Sequence, residues 1–165
     1  MLQYCEVMHK GWRMNMNLKK YTDYALRVLI FTAMKKEGER ANIKEISYIY
    51  KISTHHLGKI VFELNKLGYL ETVRGRNGGI CLAKPAEEIN VGTVVREMEN
   101  DFVLLECFDQ GINHCVISPA CKLKHALNDA LRAFLDVLDQ YTLADLVVNE
   151  AELLELMGLG NRTDT

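Results

Sequence analysis

Three cysteines, Cys107, Cys115 and Cys121, fall within fifteen residues in the spacing C-x7-C-x5-C. Deprotonated cysteine sulfur is a soft, anionic ligand, and thiolates strung along a loop can wrap around a soft metal ion or an iron–sulfur cluster as a straight helix cannot. Three such donors leave one coordination position to be filled. His114 and His125 lie beside and after the trio, so a Cys3His zinc site is chemically open too, with spacings longer than the short Cys-x2–4-Cys knuckle usual for structural zinc. The chain has five cysteines, an odd number, and no signal-peptide-like start. That combination points to reduced thiols in the cytoplasm and away from a disulfide framework. Cys81 lies apart and reads as a packed strand residue. Cys5 and His9 sit in a stretch without apolar period and read as solvated.

The elements that must position the trio follow from the apolar pattern. Tyr21 to Met34 is apolar around most of a helical circumference, interrupted by Asp23 and Arg27 at i and i+4, which predicts a helix buried on more than one side. Ile43, Ile46 and Ile49 mark a short second helix, and Lys51 to Ser53 a turn. Ser53 then caps a third helix from Thr54 to Leu67, with Leu57, Ile60, Val61, Leu64 and Leu67 inward and Gly68 closing it. Two helices joined by so tight a turn read as helix-turn-helix. Two β-rich runs around Asn77-Gly78 read as a tight hairpin, completing a winged helix. Beyond Pro85 come a short helix at Ile89 to Met98 and the cysteine loop. A single amphipathic helix of about 20 residues follows, with Leu123, Leu127, Ala130, Phe134, Leu138 and Tyr141 in its apolar stripe. That stripe exceeds what a small winged helix can cover, so pairing with a second copy is expected. The expected fold is mainly α with a small β-hairpin wing. The expected divisions are a disordered extension at 1–15, a DNA-binding domain at 16–84, a linker helix and cysteine loop at 85–121, a dimerisation helix at 122–142, and a C-terminal helix and tail at 143–165.

Charge separates along the same line. The formal net charge is −2, yet residues 16–84 carry a net +7 and residues 85–165 a net −10. A basic half joined to an acidic one is the asymmetry expected when one half faces a polyanion. The third helix offers Ser53, Thr54, His55, His56 and Lys59 from its first turns, where base edges and phosphates are met. The wing offers Arg74 and Arg76 among glycines, suited to the phosphate backbone or minor groove. Adjacent His55 and His56 diverge by roughly 100° on a helix, which suits DNA or solvent better than a shared metal. No run approaches the ~18 apolar residues of a membrane span. Nor does the sequence contain a glycine-rich nucleotide fingerprint, a second cluster motif or a nucleophile–base pair, which excludes the common enzyme classes.

The runs YTDYALRVL and NIKEISYIYKISTHHLGKIVFELNKLGYLETVRGRNGGICLAKP, the cysteine trio and the long helix together resemble the IscR/NsrR family of winged-helix transcriptional regulators, from about Met16 to Tyr141. Met16 coincides with the usual family start. The resemblance is nearest the nitric-oxide-sensing iron–sulfur repressors of that family. It implies a homodimer on operator DNA with one 4Fe-4S cluster per subunit held by Cys107, Cys115 and Cys121. Asp23, in the TDYALR motif, would be the fourth ligand, donated from the partner subunit, with Arg27 supporting the cluster region. A 2Fe-2S cluster or zinc are the alternative occupants. Nitric oxide would be the effector, releasing DNA as Asp23 is displaced; the alternatives are a regulator of the same family answering to iron or redox state, or a zinc-stabilised DNA-binding protein. Two departures separate this chain from IscR-type members: Lys124 stands where they place a histidine ligand, with His125 one residue later, and Gly58 stands where they carry a base-reading acid. A differently specific operator follows. Without metal chemistry, Asp23 and Arg27 would form an ordinary helix ion pair worth ~0.3–0.5 kcal/mol.

Overall fold

The computed structural model describes residues 18–36, 38–75, 78–99, 102–108, 111 and 113–160. The expected N-terminal extension, Arg76 and Asn77 lie outside the described residues. Among the described residues, six helices and one hairpin follow in the order α1 (Lys20–Ala33), α2 (Ile43–Tyr50), α3 (Thr54–Lys66), β1 (Leu70–Val73), β2 (Gly79–Leu82), α4 (Val91–Glu99), α5 (Lys122–Leu138) and α6 (Glu150–Leu156). Short 3-10 turns occupy Ala86–Glu88, Glu106–Phe108, Ser118–Ala120 and Asp145–Val147.

Helix α1 is the centre of the molecule. Thr22, Ala25, Val28, Leu29, Phe31 and Thr32 are buried on it, and it touches α3, α4 and β2. Its N-terminus has no side-chain cap of its own. Instead the buried carboxylate of Glu99, at the end of α4, accepts the Lys19 backbone N–H at 2.8 Å. This supplies one of the acceptors that a helix start requires. The core continues from Leu57, Ile60 and Leu64 of α3 through Ile80 of β2 to Val94 and Met98 of α4 and Leu143. The segment expected as a linker helix therefore packs into the same core as the helix-turn-helix.

Local capping explains the helix-turn-helix. Asn42 caps α2 by accepting the Lys44 amide at 2.8 Å. The Ser53 hydroxyl accepts the His56 amide at 3.3 Å, as expected of the cap of α3. Gly68, at φ +76°, ends α3 with its own amide on the Asn65 carbonyl and the Tyr69 amide on that of Leu64. This paired arrangement satisfies two terminal carbonyls and needs a residue at ease with positive φ. The chain turns from there into β1.

The hairpin register pairs Leu70 with Leu82 and Val73 with Gly79. The connection thus runs from Arg74 to Gly78 and is longer than the two-residue turn that Asn77-Gly78 suggests. Its closure includes the Gly78 amide donating to the Gly75 carbonyl at 2.9 Å. Ala41 adds one further pair to the outer side of β2, exchanging both backbone bonds with Ile80. A Cβ on Gly79 would stand 2.8 Å from the Ala41 carbonyl oxygen, so this approach requires glycine.

Helix α5 joins this body through its C-terminal end. Arg96 of α4 donates to both carboxylate oxygens of Asp139, one contact at 2.6 Å, and the Val91 amide donates to the Tyr141 carbonyl at 2.9 Å. The Arg96 hydrogen bond holds the Asp139 carboxyl below its ordinary pKa. Gly92 admits this contact, since a Cβ there would lie 2.0 Å from Asp139 Oδ1. No residue of α5 is buried.

The tail is broken where one continuous helix was expected. The Asp145 carboxylate accepts both the Thr142 amide and its hydroxyl, a local side-chain bond that favours a turn over a continuing helix. Leu153 and Leu154 of α6 and Met157 just after it then pack against the core.

Phe31→Ala should lower stability by about 3–5 kcal/mol, the range for truncating a buried aromatic. Urea unfolding of the full chain followed by circular dichroism measures it.

Candidate functional site

The described structure offers two chemically distinct regions, a basic helix face and a thiol-bearing loop. On α3, Thr54, His55, His56, Gly58 and Lys59 are exposed beside the capping Ser53. These positions present two imidazoles, an ammonium and two hydroxyls from the first turns of a helix whose opposite side is fixed in the core. An open groove of about 550 Å³ runs between this face and the start of α1, lined by Tyr21, Thr54, His55, Gly58, Lys59, Phe62 and the carboxylate-bearing Glu63. The Tyr21 hydroxyl donates to the Lys59 carbonyl at 3.1 Å, tying the two helices at the groove. Arg74 is exposed at the wing. Of the DNA-contacting residues expected from sequence, all but Arg76 lie among the described residues, and Ser53 serves also as a cap.

Sequence reasoning passed over Phe62 and the packing side of Gly58. Phe62 is 71% exposed and stands on the same stripe as His55 and Lys59, at i+7 from His55. Gly58 sits inside a helix with ordinary φ, and a Cβ added there would meet nothing within 4 Å. A mid-helix glycine costs roughly 0.5–1 kcal/mol relative to alanine. No contact in the fold requires the missing side chain, so the exposed face itself is where its effect is to be tested. The spacing rule that reveals it is simple: an unforced glycine in an otherwise strong helix.

The cysteine loop packs differently. Cys107 is buried within the 3-10 turn Glu106–Phe108, and Cys115 and Cys121 are partly exposed. Cys121 is the cap residue of α5 and makes no side-chain cap bond. Its thiol is thus left unengaged at the first turn of that helix. The Cys115 amide donates to Asn113 Oδ1 at 3.0 Å, and Lys124 Nζ to Ser118 Oγ at 3.3 Å. His114 and His125 are exposed. Cys81 stands apart on β2, its thiol 3.8 Å from the Glu71 carbonyl oxygen. All of the described cysteines are free thiols.

Asp23 is elsewhere, on the outer side of α1. Arg27 Nε donates to its Oδ1 at 2.9 Å, and the guanidinium holds Oδ2 at 2.9 Å. This hydrogen bond is the chief cause that raises the Arg27 pKa. The same guanidinium lies 5.6 Å from the ring centroid of Tyr50, the last residue of α2. Among the described residues, no three His, Cys, Asp or Glu side chains are grouped closely enough to hold a metal ion. A single chain thus keeps Asp23 with Arg27 and leaves the thiols ungathered. The donor chemistry itself, three free thiols on a loop with one at a helix start, fits an iron–sulfur cluster or another soft metal centre.

A helix-turn-helix with a hairpin wing and an exposed basic recognition face defines a winged-helix DNA-binding protein. Residues 18–149 match the Rrf2 family, described as iron-dependent transcriptional regulators, and the chain belongs to that family. It is 67% identical over 144 residues, 87% of this chain and 98% of the relative, to a protein of Oceanobacillus iheyensis named HTH-type transcriptional regulator NsrR. A Bacillus licheniformis protein of the same name is 57% identical over 142 residues, 86% of this chain and 99% of the relative. Among solved structures, T. potens IscR superposes with a TM-score of 0.65 over 85% of this chain and 92% of that one, at 23% identity, a likeness of fold. The chain is accordingly a transcriptional regulator and not an enzyme. No helix among the described residues is long and apolar enough to cross a membrane.

Gly58→Ala separates fold from interface. We expect a stability gain of about 0.5–1 kcal/mol by thermal unfolding together with weaker binding of DNA by gel shift. Equal gains in both measurements would mean that nothing approaches Gly58 closely.

Proposed function

We propose that the chain is a cytoplasmic, nitric-oxide-sensing repressor that binds operator DNA as a homodimer. Its 4Fe-4S cluster would be held by Cys107, Cys115 and Cys121 of one subunit and Asp23 from the first helix of the other. The observation that carries the reading is the contact series Asp23, Arg27, Tyr50. It joins the candidate fourth ligand to the end of α2, at the turn that sets the recognition helix. Support comes also from α5, amphipathic and without a buried residue in the single chain, which a second copy would cover.

When bound, the cluster supplies an iron open to a small diatomic ligand at the carboxylate position, where oxygen is a weaker, more replaceable donor than thiolate. The residues of the chain perform the rest. Asp23 has two possible partners, the metal site and Arg27, and the structure described here shows the second. Were Asp23 engaged as a ligand, Arg27 would be left with Tyr50 and without its carboxylate. On its return Asp23 would again engage the guanidinium, and the Arg27 contact with the Tyr50 ring would carry that change to the end of α2. Because half-sites on a two-fold operator lie one helical turn (~34 Å) or a multiple apart, a small rotation of each recognition helix weakens both contacts at once. Genes that dispose of nitric oxide would then be transcribed.

Anaerobic purification with a visible spectrum, then titration with nitric oxide while operator binding is followed, tests this reading. A brown protein absorbing near ~400 nm, bleaching as it leaves DNA, is the expected outcome. A colourless zinc protein, or a coloured one whose DNA affinity ignores nitric oxide, would overturn it. Substituting any of Cys107, Cys115 or Cys121 by Ala should abolish bound iron and sulfide. Asp23→Ala should keep the fold, because its ion pair is exposed and weak, yet lose cluster retention or its coupling to DNA affinity. Unchanged retention and coupling would remove Asp23 from the ligand set.

A further inference from the structure

The outer side of α2 carries a pattern used by neither the core nor the cysteine loop. Ile46 is fully buried and Ile43 and Ile49 are half-buried, while Lys44 and Tyr48 on the helix and Lys51 just after it are exposed. Their spacing of i, i+4 and i+7 makes one stripe. Tyr48 is 75% exposed, and the Lys51 ammonium lies 4.2 Å from its ring centroid. Among the described residues, neither Lys44 nor Lys51 has a carboxylate partner.

Lys51 is unusual in a second, independent respect. Among the described residues it is the non-glycine residue with left-handed backbone, at φ 56°. A lysine is held there at a conformational cost that glycine avoids. This left-handed cap ends α2 and turns the chain toward α3, and it leaves the exposed side chain lying over the Tyr48 ring. It stands two residues before Ser53, the cap of α3, and its backbone is therefore within roughly 7 Å of the start of the recognition helix.

We propose that Lys44, Tyr48 and Lys51 form a phosphate clamp that grips the DNA backbone beside the groove entered by α3. The inference rests on the DNA-binding reading above. The ligand class is the phosphodiester of duplex DNA. The ring of Tyr48 steadies the Lys51 ammonium by cation–π attraction, so less freedom is lost when a phosphate arrives. The Tyr48 hydroxyl donates to a phosphate oxygen, and Lys44, one turn back, adds a second positive charge. Contacts of this kind fix orientation and carry no sequence information.

The test uses the full-length protein, purified anaerobically, and two duplexes of about 30 base pairs. One has random sequence, and the other is selected from a random library by the wild-type protein. Lys51→Gly is the decisive variant, because glycine suits the left-handed backbone and should leave the melting temperature equal or higher. We expect its affinity to fall about tenfold on both duplexes, with the slope of log affinity against log salt shallower by about 1. Tyr48→Phe and Lys44→Gln should lose affinity in the same direction. Lys66→Gln, which removes an equal charge at the far end of α3, should change it less than about twofold. Unchanged affinity and slope for Lys51→Gly, with wild-type protein binding normally, would overturn the clamp and leave DNA binding intact. A loss confined to the selected duplex would overturn the phosphate assignment in favour of a base contact. Failure of the wild-type protein to bind either duplex would overturn both readings.

Discussion

Helix α1 has to be covered by α3, α4 and β2 together, and no residue from Tyr21 to Ala33 is fully exposed. Each large apolar side chain removed from water contributes about 1.5–3 kcal/mol, against a total stability for a domain of about 5–15 kcal/mol. Val28, Leu29 and Phe31 are thus a substantial fraction of the whole. A helix buried to this degree has no independent motion; a displacement of its outer residues is felt by the recognition helix on one side and by α4 on another. The Tyr21 to Lys59 and Lys19 to Glu99 hydrogen bonds fasten its first turn to those same two neighbours. On the proposed reading, burial of α1 would thus link the position of the DNA-reading face to what happens around Asp23 and Arg27.

Helix α5 obeys the opposite rule. Its C-terminal end is fastened at Gly92, Arg96 and Asp139, and its 17 residues extend ~25 Å from that joint to Cys121. The cysteine loop thus hangs at the far end of a helix with no buried residue. Among its described residues, Cys107 and Ser118 are buried, and no three metal-ligating side chains are gathered. Val116 and Ile117, 92% and 63% exposed beside Cys115, have the same incompleteness. On the proposed reading the second copy supplies what is missing: it covers the apolar side of α5 and brings its own α1 to the loop.

Much of this was legible in the sequence because local rules and tertiary packing agree. The isoleucine spacing of α2, Ser53 as a cap and Gly68 as a terminator each specify an element edge without help from distant residues. The edges that sequence reading misplaced depend on partners. The wing is longer than Asn77-Gly78 implies because its register is set by Ile80 pairing with Ala41 as well as with Thr72. The tail breaks because Thr142 and Asp145 bond to each other, and α4 is core because α1 needs a cover that its own period does not identify. The thiol trio was visible by spacing alone, but spacing says nothing of where a loop is held. Lys51 was read as part of a turn, and its left-handed backbone became visible only in the structure.

The strength of the Asp23 to Arg27 pair decides whether it can act as a switch. Both side chains are more than two-fifths exposed, and an i,i+4 pair under such solvent screening is worth a few tenths of a kcal/mol. A pair of several kcal/mol would hold Asp23 permanently and prevent it from serving any other partner. One this weak yields to a modest competitor, yet re-forms once that competitor is gone. The energy that moves the DNA-binding face must then come from the competing bond and from repacking around α1, not from the ion pair. A tenfold change in operator affinity corresponds to about 1.4 kcal/mol, beyond the pair's own worth but well within that of one core side chain. On the proposed reading, the pair would set which state Asp23 returns to, and the close packing of α1 would convert that choice into a movement of the reading head.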